Sequence, residues 1–183
     1  MPLITKLLGV RVLEQTVFND PRGCFVKTFQ KCVFDDLQLN NDFEEYFYTK
    51  STKNVIRGLH FQAPPYDHAK LVSVITGTIL DVVLDIRLNS PTYNQYQTFE
   101  LSAENHKSIY IPSGFAHGFC TLGEEATVSY LTTSEHSSNH DKGIRYDSFG
   151  FDWPIKDPIL SARDLLLPVF NEFKTPFVGE DWL

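Results

Sequence analysis

At 183 residues, 42% of them hydrophobic and 21% charged, the chain has the length and balance of one globular domain able to bury a core. Its net charge of −7 argues against a generic nucleic-acid or acidic-membrane surface, so any anionic ligand must find a local cluster of Arg and Lys. Cys24, Cys32 and Cys120 form no CxxC pair and no run approaches 18 apolar residues, which predicts a cytoplasmic protein with no membrane partner.

Along the chain, residues 24–29 read as a first strand and 33–38 as a short helix. Strand patterns follow at 46–51 and 71–76, and Gly77 then punctuates the sequence before 79–86. In that last run Leu80, Val82, Leu84 and Ile86 alternate with Ile79, Asp81, Val83 and Asp85. Two such runs around a Gly predict a β-hairpin. Further strands are predicted at 97–101, 108–111, 118–122 and 127–132, with a second helical stretch at 161–167. Aromatic residues reach 14%, which suits strands and also a pocket that stacks on flat rings. Short, regularly spaced strands predict a sandwich or a jelly-roll barrel without choosing between them. No repeat or linker divides the chain, so a single domain over 1–183 is expected.

Three groups of residues carry possible chemistry. The densest is Arg57-Gly58-Leu59-His60-Phe61-Gln62 with Lys70 after a loop. These residues either line one pocket mouth or divide into rim charges and a core histidine. The second is IPSGFAHGF at 111–119, where Pro and two Gly around His117 indicate a tight turn that holds the imidazole against the interior. This PxGxxH element resembles the second motif of cupins, whose His is usually a metal ligand. A metal cupin also needs an HxH pair and a carboxylate, yet here Phe61 and Gln62 follow His60, and His68 lies in a Pro-rich loop. No metal site is therefore predicted. Tyr130 and Asp164 form the third group, and on their own they read as a packing residue and a helix cap. P-loop, GxGxxG and GxSxG elements are missing.

Together these segments resemble the dTDP-4-dehydrorhamnose 3,5-epimerase family. The matching stretches are PRGCFVKTF (21–29), STKNVIRGLHFQAPPYDHAKLVSV (51–74), DVVLDIRLNSPT (81–92), IPSGFAHGF (111–119) and GIRYDSFGFDW (143–153), continued by 126–133 and 160–164. The resemblance implies an all-β, cupin-type double-stranded β-helix (a jelly roll) with a few short peripheral helices. It also implies a homodimer, no metal or organic cofactor, and a nucleotide-diphosphate-linked 4-keto-6-deoxy sugar as substrate. His60 matches the general base and Asp164 the carboxylate that orients it. Tyr130 matches the general acid on the opposite face of the sugar, and Lys70 the cation against its 4-keto oxygen. Arg57 and His117 match substrate contacts, Arg22 and Arg163 positions near the diphosphate, and His136 the residue that stacks on the base. Gln62 and Asp141 join the substrate-binding set.

The chain also departs from the family pattern. Where the family has Glu in RGxFxE, this chain has Lys27, a reversal of charge. The family's Q-x-N-x-S-x-S appears as Glu45-Tyr46-Phe47-Tyr48-Thr49-Lys50-Ser51. In a strand, Glu45, Phe47, Thr49 and Ser51 share one face, so a polar edge of the pocket has been rebuilt. The nucleotide (TDP, CDP or GDP) and the inverted centre (C3, C5 or both) stay open. The alternatives are a sugar-nucleotide 3,4-ketoisomerase, which shares the first deprotonation, a non-catalytic sugar-binding jelly roll, and a metal-dependent cupin oxygenase. No nucleic-acid partner is expected.

Overall fold

The strand-forming runs assemble into two facing antiparallel sheets in the computed structural model, which describes residues 3–179. The elements in chain order are β1 (Leu3–Ile4), β2 (Arg11–Glu14), β3 (Thr16–Asp20), β4 (Gly23–Lys27), α1 (Lys31–Asp36), β5 (Glu45–Thr52), β6 (Ile56–Gln62) and β7 (Lys70–Thr76). They continue with β8 (Thr78–Asp85), β9 (Tyr96–Ser102), β10 (Lys107–Ile111), β11 (Phe115–Thr121), β12 (Glu125–Thr132), β13 (Asp141–Gly143) and α2 (Ala162–Leu165). One sheet has the order β1-β2-β10-β7-β12-β5 and the other β13-β6-β11-β8-β9. The β3–β4 hairpin stands apart as a third, two-stranded sheet. This is the expected cupin-type jelly roll with two short helices.

Period-two alternation decides what lies inside. Val72 and Val74 of β7, Ile79 and Val83 of β8, Phe115 and Phe119 of β11, and Val128 of β12 meet between the sheets in one apolar cluster. The opposite face of β8 sends Val82 and Leu84 outward, where Ile86, Ile144, Phe149 and Phe177 cover them. The alternation read from residues 79–86 thus describes two buried faces, because the C-terminal segment covers the outer one. A third cluster, Leu13, Phe34, Leu71 and Tyr110, seats α1 on the outside of the larger sheet.

The hairpin expected across Gly77 does not form. β7 pairs with β10 and β12, whereas β8 pairs with β11 and β9. Gly77, at φ +77°, carries the chain from one sheet to the other, and a Cβ there would lie 2.1 Å from the Glu125 carbonyl oxygen. Both runs have an apolar face, and placing them on facing sheets buries both faces against each other. Alternation alone reports a buried face and not the strand that lies beside it.

β6 also escaped the sequence pattern, because glycine interrupts its alternation. Gly58 has φ +118°, and a Cβ on it would stand 2.6 Å from Gly118 Cα. A Cβ on Gly118 would stand 2.5 Å from the Arg57 carbonyl oxygen and 2.8 Å from Leu59 Cδ2. The two glycines allow β6 and β11 to approach closely at an irregular register, which sets His60 directly opposite His117. Gly118→Ala should therefore cost about 1–3 kcal/mol through overpacking against backbone and should also reduce activity. An unchanged denaturation midpoint would show that the close approach is not needed.

Candidate active site

The inward faces of β5, β6, β7, β11 and β12 turn polar toward one end of the barrel and line a cavity of about 440 Å³. Lys70 extends the Val72–Val74 face of β7, Tyr130 and Thr132 extend the Val128 face of β12, and His117 lies between Phe115 and Phe119. Arg57, His60, His117, Lys70, Tyr130, Glu45, Phe47, Gln62, His136, Asp141 and Arg163 all border this cavity. Asp164 stands behind His60 and is 2% exposed.

His60 Nε2 lies 2.6 Å from Asp164 Oδ1, and the Gly58 N–H donates to Asp164 Oδ2 at 3.4 Å. Burial alone would raise the Asp164 pKa, but the bond with His60 and the backbone N–H outweigh it and hold the carboxyl below its usual value. An ionised carboxylate only accepts, so His60 carries its proton on Nε2 and keeps the Nδ1 lone pair free to act as a base. Asp164 is placed by α2, where Ser161 caps the helix by accepting from the Asp164 N–H at 3.0 Å. Asp164 is therefore not the helix cap that its place after a Ser suggested: Ser161 is the cap, and Asp164 is the residue it orients.

A second pair lies beside the first. His117 Nε2 meets Asp81 Oδ2 at 2.6 Å, with both side chains buried. Burial lowers the His117 pKa, opposed by Asp81 and assisted by Lys70 and His60. Lys70 is 8% exposed, and desolvation depresses its pKa to about 8, partly countered by Asp81 and Asp141. Asp81 was visible in the sequence only as one residue of an alternating run. The signal that could have singled it out is a carboxylate on the inward face between Ile79 and Val83.

Tyr130 projects from the opposite sheet. Burial pushes its phenol well above the usual range, eased by the Thr49 hydroxyl and by Arg57. Phe47 stacks on it with ring centroids 4.8 Å apart and planes 14° apart, so the rebuilt edge strand supports this ring directly. Arg57 is held by Ser51 Oγ at 2.9 Å and the Lys50 carbonyl at 3.3 Å. At the rim, Arg163 Nη2 meets Asp141 Oδ1 at 2.7 Å, and His136 Nε2 lies 3.8 Å from Asp141 Oδ2. Among the described residues no three His, Cys, Asp or Glu side chains converge as a metal-ligand set.

Comparison with known proteins gives this arrangement a family. Residues 4–172 match the family described as dTDP-4-dehydrorhamnose 3,5-epimerase. The dTDP-4-dehydrorhamnose 3,5-epimerase of Shigella flexneri is 40% identical over 164 residues, covering 88% of this chain and 91% of that protein. The chain belongs to the dTDP-4-dehydrorhamnose 3,5-epimerase family. Among solved structures, the dTDP-6-deoxy-D-glucose-3,5-epimerase of Legionella pneumophila in complex with dTDP-4-keto-L-rhamnose is similar at a TM-score of 0.93 and 32% identity, covering 100% of this chain and 99% of that one. The Bacillus anthracis dTDP-4-dehydrorhamnose 3,5-epimerase with TDP and PPi bound gives a TM-score of 0.89 at 37% identity, covering 92% and 98%. The chain is thus an isomerase, an epimerase of nucleotide sugars.

Not every residue the family resemblance pointed to meets the epimerase cavity in the same way. The Gln62 amide is consumed by the protein: its Oε1 accepts from the Ser137 N–H at 2.6 Å, and its Nε2 donates to the Tyr66 carbonyl at 2.7 Å. Arg22 sits at the turn of the β3–β4 hairpin, bound to Asp20 at 2.7 Å. Lys27 ends the same hairpin, 5.8 Å from the centre of the Phe18 ring. Neither borders the cavity of its own chain. His68, unassigned by sequence reasoning, does border it.

The Lys70 ammonium is held against desolvation, which has a consequence for stability. Its pKa falls from 10.5 to about 8 on folding, so between these values the unfolded chain binds more protons and stability rises with pH. Below pH 8 the full penalty applies, about 3 kcal/mol at ~1.4 kcal/mol per unit. Lys70→Met should lose activity yet be more stable at pH 7 by about 1–3 kcal/mol. That advantage should fade between pH 8 and 10.5 in denaturant titrations. A variant less stable than wild type at pH 7 would contradict a strained ammonium.

Proposed function

We propose that the chain inverts C3, C5 or both in a TDP-linked 4-keto-6-deoxy sugar by proton abstraction, enolate formation and reprotonation from the other face. The observation that carries this reading is the placement of a base and an acid on opposing sheets. His60 comes from β6 of the five-stranded sheet and Tyr130 from β12 of the six-stranded sheet, with the cavity between them. A 4-keto group acidifies the hydrogens at C3 and C5, because removing either places charge on O4. The free lone pair of His60 takes the proton, and Asp164 stabilises the imidazolium that forms. Lys70 meets the growing charge on O4, and a donor preorganised in this way is worth roughly 3–4 kcal/mol. Tyr130 then delivers a proton from the opposite side. His117 and Arg57 hold the substrate, while Arg163 and His136 take its diphosphate and base. No step requires a metal.

A binding module and a 3,4-ketoisomerase would leave different marks in heavy water. The wild-type enzyme should incorporate deuterium and invert the labelled centre. His60→Ala should abolish wash-in with the fold intact. Tyr130→Phe should still admit deuterium, because His60 forms the enolate and can return a proton to the same face, but configuration should mostly be retained. NMR of the recovered sugar reads both quantities. Inversion at the wild-type rate by Tyr130→Phe would remove the phenol from the role of acid.

TDP is favoured because the related Bacillus anthracis structure holds TDP and the Legionella pneumophila one a dTDP-linked keto sugar. Turnover of TDP-, CDP- and GDP-linked 4-keto-6-deoxy sugars should be at least tenfold better with TDP. A preference for CDP or GDP would trace to the altered wall at Glu45, Phe47 and Lys27. A homodimer is part of the same reading. The β3–β4 hairpin exposes Phe18 at 54% and Phe25 at 61%, an apolar face that a second copy would cover. Arg22 and Lys27 on that hairpin would then serve the cavity of the second copy. A cytoplasmic setting suits the three free thiols and a nucleotide-sugar substrate, and no helix among the described residues is long and apolar enough to cross a membrane.

A further inference from the structure

We propose that Thr49 is a positioning residue for Tyr130, its hydroxyl donating to the phenolic oxygen once that oxygen has given its proton to the sugar. The inference rests on the reading of Tyr130 as the acid, and it assigns a task to a hydroxyl that the fold leaves unpaired.

β5 and β12 run antiparallel, with Phe47 directly opposite Tyr130 and Thr49 opposite Val128. Thr49 is therefore the diagonal neighbour of Tyr130 on the same inward face, within reach of a side chain as long as tyrosine. The ring is held there by its neighbours: Phe47 stacks on it at 4.8 Å, and His117 meets it edge-on with centroids 6.3 Å apart. Thr49 borders the cavity, yet its hydroxyl oxygen is buried and has no hydrogen-bond partner among the described residues. A buried hydroxyl left unpaired is costly. The group it stands beside is the phenol, whose ionised form it favours. Arg57 favours the same form by its charge, and it is held by Ser51, two residues further along that face of β5.

The reaction supplies the acceptor that the resting protein lacks. When Tyr130 delivers its proton, the O–H bond breaks, its electron pair stays on the phenolic oxygen, and the proton enters the new C–H bond. Burial disfavours the phenolate left behind, so a phenol with nothing to meet that charge would be a poor acid. The Thr49 hydroxyl needs only to turn about its C–O bond to donate to it. A donor already in place gives more to the phenolate than to the phenol, and so lowers the barrier to proton delivery. Water returns the proton to Tyr130 before the next turnover. Abstraction by His60, on the facing sheet, involves neither Thr49 nor the phenol.

Thr49→Val keeps the shape of the side chain and exchanges only the hydroxyl for a methyl. Inversion of the TDP-linked keto sugar should slow about ten- to hundredfold, the scale of a hydrogen bond to a charged group, with KM within twofold. Solvent deuterium should still wash in at close to the wild-type rate, so the ratio of inversion to exchange falls. The urea midpoint should stay at or above that of the wild type, because an unpaired buried hydroxyl has been removed. Thr49→Ser restores the donor and should recover inversion to within about threefold. Undiminished inversion in Thr49→Val, an equal fall in inversion and exchange, or no recovery in Thr49→Ser overturns the proposal. A raised KM with unchanged kcat would place the hydroxyl on the substrate, and a lowered midpoint would mean that it is paired at rest; either result also overturns it. Wild-type inversion by Tyr130→Phe, or a wild type inactive on every nucleotide sugar, would instead overturn the reading on which the inference rests.

Discussion

The active site depends on the close backbone approach of β6 and β11 at Gly58 and Gly118. No side chain fits between these strands at that point, and the resulting register brings His60 and His117 face to face on one wall. Each histidine then needs a carboxylate behind it, and the two come from different directions. Asp81 arrives from the adjacent strand β8. Asp164 arrives from α2, a helix of four residues that cannot hold itself in place. The chain leading to α2 is tied to β6 by backbone bonds between Ile56 and Ile159 and between Ile159 and Asn54, at 3.1 and 2.8 Å. Leu167 beyond the helix packs over Gly143, where a Cβ would come within 2.7 Å of it. The geometry of His60 is therefore set by the sheet together with the segment that covers it.

Charge in the cavity is arranged so that little has to reorganise during the reaction. Asp81 and Asp164 are buried and each is bonded to a histidine, while Asp141 spans Arg163 and His136 at the rim. Lys70 is left with burial only partly offset by Asp81 and Asp141. An ammonium so weakly solvated gains most from an anion that develops beside it, which is the requirement for stabilising an enolate more than a ketone. Tyr130 experiences the opposite bias. Its buried phenolate is disfavoured, which holds the phenol in the protonated form that the proposed proton delivery requires.

Much of the fold was legible because half-buried strands have a period of two. The run at 79–86 displayed both of its faces in the sequence, and eight strands were found within a few residues of their observed bounds. β6 was not, because Gly58 breaks the alternation for the sake of close packing. The false hairpin at Gly77 arose because alternation carries no information about pairing. Among the site residues, His60, Lys70, His117, Tyr130 and Asp164 were found through their place in a motif, since a lone Tyr in an apolar strand has no distinguishing local signal. Asp81 had one, a charge in register with core aliphatics. His68 had none, because a lone His in a Pro-rich loop gives no sign that the fold brings it to the cavity wall.

The departures from the family pattern fall where the barrel can accept them. β5 is the edge strand of the six-stranded sheet, and none of its side chains enters any of the three apolar clusters. Its inward face, Glu45, Phe47 and Thr49, borders the cavity, and only Ser51, bonded to Arg57, is fully buried. Lys27 likewise belongs to a hairpin outside both main sheets. Substitution on this face of β5 changes what the cavity presents without disturbing the packing that holds His60, His117 and Lys70, whereas Lys27 lies away from the cavity of its own chain. β7 and β11 have no such freedom, because the same strands that carry Lys70 and His117 also supply Val72, Val74, Phe115 and Phe119 to the core. The buried titratable groups of the cavity are thus fixed on interior strands, and the departures at 45 and 47 sit on the edge. Phe47 joins the two: it stands on the variable strand, yet its ring is stacked on Tyr130, so a change made at the edge reaches a buried phenol of the cavity.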